Sequence, residues 1–390
     1  MKDEPPFAQG TFLIDIGSHS IAAAHISRGE HGLMLKGATR REFTREALET
    51  GVIEKRIAEH FPRILKDMRD RYGTVAEVVL CLNGMFTVSQ TRTEDVVMEG
   101  DGKIAQKITP ENLRPAIQAG ISHFFKEVLD DERNAFEPLD TALLATRLNG
   151  YDTMEPFGKC ARTAGVTIHV AVAERNFHTM LRRTVRRVLP QASLTMHAAT
   201  YALFRGLSES INQDDWLLVD TTGGISELGF VEDGMLRHVI SLPDGGHALI
   251  EDVAKKTGFD TATVRSDLSF LARGRLEAKK AAFLRTQIRR TASGMAKQII
   301  DVIDKPAGHP RLPDSVIVVA HPWVRSILSL VWEDPVYIRG TNSGDAPKQV
   351  VIDQKWLSEN GLLSEEGSRD VFLGLLALGV SYFKSGVIVL

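Results

Sequence analysis

A short apolar run closed by an aspartate and a small-residue turn occurs twice along the chain, and the remaining hydrophobic pattern is arranged around these two copies. In the first, Thr11 to Ile14 leads to Asp15 and turns through Gly17-Ser18-His19-Ser20. The chain resumes as Ile21 to Ile26, turns at Arg28 to Gly32 and returns through Leu33 to Ala38. In the second, Trp216-Leu217-Leu218-Val219 ends in Asp220 and turns through Thr221-Thr222-Gly223-Gly224. Alternating residues then run to Phe230, turn at Glu232-Asp233-Gly234 and return as Leu236 to Leu242, which reads as a hairpin around a glycine turn. A strand end bearing an acid beside glycine-freed N–H groups can hold a phosphate and its cation together. Two copies in register, about two hundred residues apart, predict a duplicated fold whose halves each present one such element to a shared cleft.

Between the copies the apolar period changes several times. Ile57, Phe61, Ile64, Leu65 and Met68 keep helical spacing, and Val75 to Leu82 reads as a strand closed by Asn83-Gly84. From Phe86 the texture becomes β-rich, then helical from Pro110 through Leu129, then strand-like at Ala142 to Leu148 and Val166 to Val172. This predicts a compact inserted α+β module of roughly eighty residues. The expected division is 1–85 and 173–212 for the first half, 86–172 for the module and 213–390 for the second half. Glu174 to Val188 is a basic amphipathic helix whose arginines read as the solvated face of a helix packed on a sheet, with a membrane or acidic-partner surface as the alternative, and a second short helix is expected over Met196 to Leu207. Beyond Gly246 the pattern predicts a helix at Leu249 to Lys256, an irregular charged segment, a long helix of roughly Leu276 to Ile303 and a strand Ser315 to Ala320 ending in His321-Pro322.

Composition narrows the class. The chain has 390 residues, 43% apolar and 25% charged, enough to build two or three cores, and its net charge of −3 gives no reason to expect a nucleic-acid surface. Cys81 and Cys160 are too few for a metal quartet or a disulfide framework, which fits a reducing cytoplasm. The leader lacks the apolar region of a signal peptide, and Val371 to Phe383 is too short to span a bilayer, so it reads as a buried helix.

Taken together, the two strand-acid-turn hairpins, the late strand and the final packed helix resemble the actin, sugar-kinase and Hsp70 ATPase superfamily. Within it, the inserted module resembles that of the bacterial FtsA and PilM group. The stretches carrying this are Asp15-Ile16-Gly17-Ser18, Val219 to Gly224, Met235 to His238 with Pro243-Asp244-Gly245-Gly246-His247, and Asn149-Gly150-Tyr151 with Pro156-Phe157-Gly158. The fold class implied is α/β, with duplicated actin-like (RNase H-like) halves around a nucleotide cleft. The resemblance implies ATP and Mg as cofactors. Asp15 and Asp220 would hold the cation through water, and Gly17, Ser18, Gly223 and Gly224 would lend N–H groups to the phosphates, with Thr221 and Thr222 in the same loop. Gly245 and Gly246 would pass close to the nucleoside, Asp267 would reach the ribose, and Ala320 and His321 would face the adenine. Asp220 is the expected catalytic acid and His197 a candidate base.

The family pattern is also interrupted. Thr222 and Ile225 replace a glycine and a threonine of the second loop, Ala320-His321-Pro322 replaces a Gly-Gly turn, and Asp267 and Phe270 replace a ribose-contacting Glu and its nearby Lys. The expectation is therefore weak or lost ATP binding and at most a weak ATPase. As a function, the resemblance favours an FtsA-like cytoplasmic scaffold of cell division, contacting division or pilus assembly proteins through the module and self-assembling into dimers or protofilaments. It would be peripheral to the inner face of the membrane only through partners, because the end of the chain lacks a basic amphipathic tail: Lys384 is the single charge in the last twenty residues. A PilM-like pilus assembly adaptor that grips the peptide tail of a membrane protein is the alternative, and an ATP-dependent small-molecule kinase a third.

Overall fold

The computed structural model describes residues 10–29, 32–43, 50–96, 105–153, 155–221, 223–303 and 312–383. The N-terminal leader before Gly10, Thr222 and the apolar tail from Lys384 lie outside them.

The chain begins with three antiparallel strands, β1 (Thr11–Ile16), β2 (Ser20–Gly29) and β3 (Gly32–Glu42), then α1 (Thr50–Tyr72) and β4 (Glu77–Leu82). It leaves this body for β5 (Thr87–Val96), β6 (Gln106–Lys107), α2 (Pro110–Val128), β7 (Phe136–Leu148), β8 (Tyr151–Thr153), β9 (Cys160–Ala161) and β10 (Ala164–Glu174). α3 (Arg175–Val188), β11 (Ser193–Ala198) and α4 (Ala199–Ser208) return to the first body. The second body holds β12 (Trp216–Thr221), β13 (Ser226–Glu232), β14 (Met235–Leu242), α5 (Gly246–Thr257), α6 (Thr261–Ala272) and α7 (Ala278–Ile303). It continues through β15 (Ser315–Ala320), α8 (Pro322–Trp332), α9 (Pro335–Ile338), β16 (Lys348–Val351) and α10 (Gln354–Glu359). Finally β17 (Leu362–Ser364) joins the edge of the first sheet beside β3, and α11 (Val371–Phe383) packs between the bodies.

The duplication is explicit in the strand order. The first sheet runs β17-β3-β2-β1-β4-β11 and the second β14-β13-β12-β15-β16; apart from the edge strand β17, each is an antiparallel meander extended by two parallel strands. Because side chains alternate along a strand, the central strands feed two cores at once. In β1, Phe12, Ile14 and Ile16 face α1 and α3, whereas Leu13 faces a middle layer built by α4 and α11. In β12, Leu217 and Val219 face α5, α7 and α8, whereas Trp216 and Leu218 face the same middle layer. Asp15 and Asp220 stand two residues beyond Leu13 and Leu218, so both acids inherit the parity that points to the seam.

The module is the antiparallel sheet β5-β10-β7-β8 with α2 over one face and its own core. Its β7–β8 hairpin turns at Asn149 (φ 50) and Gly150 (φ 89), and the β13–β14 hairpin turns at Asp233 (φ 52) and Gly234 (φ 70). Both pairs have the positive φ at two successive residues that a two-residue hairpin turn requires.

Several expected elements change. Met196-His197-Ala198 is strand, not helix: it pairs in parallel with β4, and α4 starts only at Ala199. The segment expected to be irregular holds α6, capped by Asp260, whose side chain accepts the Thr263 N–H. His321-Pro322 does not merely turn; it opens α8 with the proline in the first turn, where its missing N–H costs nothing.

Candidate functional site

The seam between the two sheets collects the residues that the duplicated motif singled out. At the end of β1, the Asp15 carboxylate accepts a bond from Arg40 Nη1 at 3.2 Å, and the same nitrogen donates to Ser20 Oγ at 2.7 Å. Arg40 also forks onto Asp370, ahead of α11, with Nε–Oδ2 at 3.0 Å and Nη2–Oδ1 at 3.2 Å. One half-buried guanidinium thus serves two carboxylates, bidentate to one and single to the other. The consequence is unequal charge: Arg40 holds Asp370 below its ordinary value against the opposing effect of burial, whereas burial pushes Asp15 up to about 7 despite Arg40.

Beside this triad the two turns touch. Gly17 N–H is spent on Ser20 O (2.9 Å), and Gly224 N–H donates across the seam to Ser18 Oγ (2.8 Å). A Cβ on Gly223 would overlap Ser18 Oγ, so the contact depends on that glycine. Gly245 N–H bonds Gly224 O at 3.1 Å and caps α5, which begins at Gly246; this locks the second turn onto the Pro243-to-Gly246 stretch. Asp220 and Thr221 are fully buried at the end of β12.

A third bridge is aromatic. His19 from the first turn lies on His247 of α5, ring centroids 3.5 Å apart. Arg265 of α6 donates to His247 Nδ1 at 2.6 Å and sits 4.8 Å over the Trp323 ring, which stacks on His321 with centroids at 5.2 Å. Burial lowers the pKa of His19 and of His321, keeping both rings neutral in the stack. The fourth bridge is Glu227 of β13. Its carboxylate accepts from Asn83 Nδ2 and from Gly84 N–H, both at 2.9 Å, and burial raises its pKa. A side chain at Gly84 would collide with that carboxylate.

No family model and no curated protein sequence matches this chain. Among solved structures, the chain is similar over 96% of its length to 99% of a chain in a PilM–PilN type IV pilus biogenesis complex, with TM-score 0.59 and 14% identity. The chain has an actin-like ATPase fold. It also aligns over 97% of its length with 90% of the ethanolamine utilization protein EutJ from Carboxydothermus hydrogenoformans (TM-score 0.44, 12% identity). A ROK family protein from Streptococcus pneumoniae TIGR4 aligns over 96% of this chain and 99% of its own (TM-score 0.39, 11% identity).

An actin-like cleft would be expected to admit a nucleotide and its cation. A triphosphate needs free N–H donors, and those of Gly17 and Gly224 are committed within the protein. A hydrated divalent ion needs an available carboxylate, and Asp15 is held by Arg40. The first turn is also held to α5 by the His19–His247 ring contact. In this closed arrangement the N–H groups of Gly17 and Gly224 and the Asp15 carboxylate are engaged within the protein, whereas Thr221 Oγ1 is buried at the same seam without a hydrogen-bond partner.

Other expected site residues lie elsewhere. His197 sits on the edge strand β11, bonds Asp140 of β7 at 2.6 Å and stacks on Phe383 at 4.2 Å, so it ties the module to the first sheet. Asp140 completes that tie by accepting Ala198 N–H at 2.8 Å. Asp267 is buried against Lys280 Nζ (2.7 Å) on the α7 side of α6, and Thr261, Ala262 and Arg265 of that helix line the cavity beside His19 and His247. Ala320 and His321 do line a cavity of 280 Å³ at the seam, together with Arg40, Arg325 and Asp370. Arg40, Glu227, His247, Arg265 and Trp323 were not anticipated. The one available signal was Glu227, an acid on an inward position of an alternating strand.

Proposed function

We propose that this chain is an actin-fold adaptor of the FtsA and PilM group, PilM-like in role, that grips a peptide segment of a membrane-anchored assembly protein and does not turn over nucleotide. The observation that carries this reading is a 650 Å³ cavity between the module and the middle layer. Its walls are Leu143 to Ala145 of β7 and Asp152-Thr153 of β8 on one side, Tyr201, Phe204 and Arg205 of α4 on another, and the Asp233-Gly234 turn with Tyr382 at the ends. Aromatic walls with a few charged groups are the features of a site that orients a ligand segment, and the volume suits several side chains. The module also exposes Tyr151 (80%) and Phe157 (42%), the kind of aromatic anchors that dominate protein interfaces.

The near end-to-end likeness to the chain from the pilus complex, module included, favours a pilus role over the division role that the short FtsA-like stretches suggest. The closed seam weighs against the small-molecule kinase, which needs room for two substrates. Among the described residues no helix is long and apolar enough to cross a membrane.

Two measurements test this. Capture from cross-linked native membranes with the full chain as bait is expected to recover pilus assembly proteins, and Thr153→Arg, at the cavity edge, to lower recovery at least about tenfold. Recovery of tubulin-like division proteins instead would overturn the pilus reading. Separately, about 2 mM Mg–ATP is expected to leave the unfolding temperature unchanged, because a ligand stabilises only a state it binds. A rise of several degrees would show that the seam opens to nucleotide.

A further inference from the structure

α1 and α3 lie side by side on the outer face of the first sheet, with Ile57, Phe61, Phe177, Leu181 and Val185 in a shared core. Their outward sides are unusually basic. The two helices carry eleven Lys and Arg against four carboxylates, whereas the chain as a whole has a net charge of −3. Three of those carboxylates are already engaged: Glu59 by Arg56 and Arg63, Asp67 by Arg41 and Asp70 by Arg69. α3 contains no carboxylate at all. Its Arg182, Arg183, Arg186 and Arg187 are all exposed, and among the described residues none of their side chains has a hydrogen bond or an ion pair, whereas Arg175 pairs with Glu137. Like charges one turn apart destabilise a helix, so 182 with 186 and 183 with 187 are a cost with no return inside the chain.

We propose that the α1–α3 face docks on an anionic lipid surface, its arginines pairing with headgroup phosphates. Guanidinium groups match phosphate oxygens in a two-pronged geometry that lysine lacks, and the free positions of α3 are arginine throughout. Lipid is favoured over an acidic protein because neither helix exposes a large apolar side chain; those exposed lie at Val128, Tyr151, Phe157, Phe259, Phe270, Phe283 and Val351. Protein interfaces are anchored by such groups, whereas an electrostatic lipid contact needs none. The apolar sides of α1 and α3 are buried in their own core, so neither helix enters the acyl region and the contact is governed by charge. α4 and α11, which line the peptide cavity, lie on the opposite face of the first sheet. A chain resting on lipid through α1 and α3 therefore leaves that cavity accessible. This contact is direct and does not depend on the identity of any partner.

The test is co-flotation of the full chain with vesicles of phosphatidylcholine alone or with about 30% phosphatidylglycerol, at low salt and at about 0.5 M salt, where screening shortens the range of the attraction. Binding is expected only to the anionic vesicles and only at low salt. Each basic residue held near such a surface contributes about fivefold, so replacing Arg182, Arg183, Arg186 and Arg187 together by glutamine is expected to lower partitioning about a hundredfold or more. The double variant Arg183→Gln/Arg187→Gln should fall between, and unchanged unfolding temperatures establish that both variants fold. Equal flotation with neutral vesicles, salt-resistant binding, or full binding by the folded quadruple variant would each overturn the proposal. So would binding to an acidic protein or a nucleic-acid duplex at the same salt without binding to the vesicles, since the face would then serve another polyanion.

Discussion

Arg40→Met is expected to destabilise the protein by about 3–5 kcal/mol at pH 8, the cost of leaving buried carboxylates without their counter-charge. Arg40 is the cation shared by Asp15 and Asp370, both largely shielded from water. Methionine keeps the stem and removes the charge, so the two acids are left facing one another. The effect should depend on pH in a direction that Asp15 sets. Its carboxyl titrates near 7 in the folded protein against an ordinary 3.8, so between those values the folded state holds a proton that the unfolded state has released. Stability from this group is complete below about pH 4 and is lost as pH rises toward 7, at up to about 1.4 kcal/mol per unit. Asp370 acts in the other sense and only in acid, because its folded value is lowered. His19 and His321, whose values are also lowered, oppose Asp15 just below pH 6.5, so the contribution of Asp15 is read as the difference from an Asp15→Asn variant. Urea midpoints at pH 5, 6, 7 and 8 provide the comparison. The advantage of wild type over Asp15→Asn should shrink across that range. In Arg40→Met, Asp15 loses the group that lowers its pKa, so the decline should extend to higher pH. A flat difference would mean that Asp15 is ionised throughout.

The parts of this fold readable from sequence are those set by near neighbours. An apolar run closed by Asp15, another closed by Asp220, and Asp-Gly or Asn-Gly at the hairpin tips are local signals, and each forms the strand or turn its chemistry requires. α6 was missed because its buried side is only Val264, Asp267 and Leu268, too narrow an apolar stripe to stand out, although Asp260 three residues ahead of Thr263 was a usable cap signal. α8 is hidden for another reason: Ala-His-Pro reads as a turn and masks the helical spacing of Val324, Ile327, Leu328 and Val331 just beyond it. His197 was placed on a helix because Met196 to Leu207 is evenly apolar, and only its pairing with Cys81 on β4 makes it strand. The site was legible as a set of residues and not as an arrangement. That Ser18 and Gly224 would bond each other, or that Arg40 would stand beside Asp15, depends on contacts between residues 25 to 330 positions apart. No local pattern carries that information.

The seam itself depends on two glycines, and Gly379→Val is expected to cost about 3 kcal/mol or more, the upper range for overpacking a buried contact. α4 and α11 cross with Gly206 against Gly379. A Cβ on Gly379 would overlap the Ala202 carbonyl oxygen, and one on Gly206 would lie 2.7 Å from the Leu375 carbonyl oxygen. Both obstacles are backbone, which cannot rotate aside as a side chain can, so the helices must separate. Gly374 on the same helix provides the contrast. There the nearest atom is Leu357 Cδ1 at 2.7 Å, the end of a flexible side chain, and Gly374→Ala should cost about 1 kcal/mol. Urea denaturation of the two variants separates crowding against backbone from crowding against a movable group. Separation of the helices would also shift Tyr201, Phe204 and Tyr382, which wall the 650 Å³ cavity. Gly379→Val should therefore lose partner capture at temperatures where it is still folded, whereas Gly374→Ala should retain it. Equal stability of the two variants would show that the middle layer is looser than its glycine contact implies.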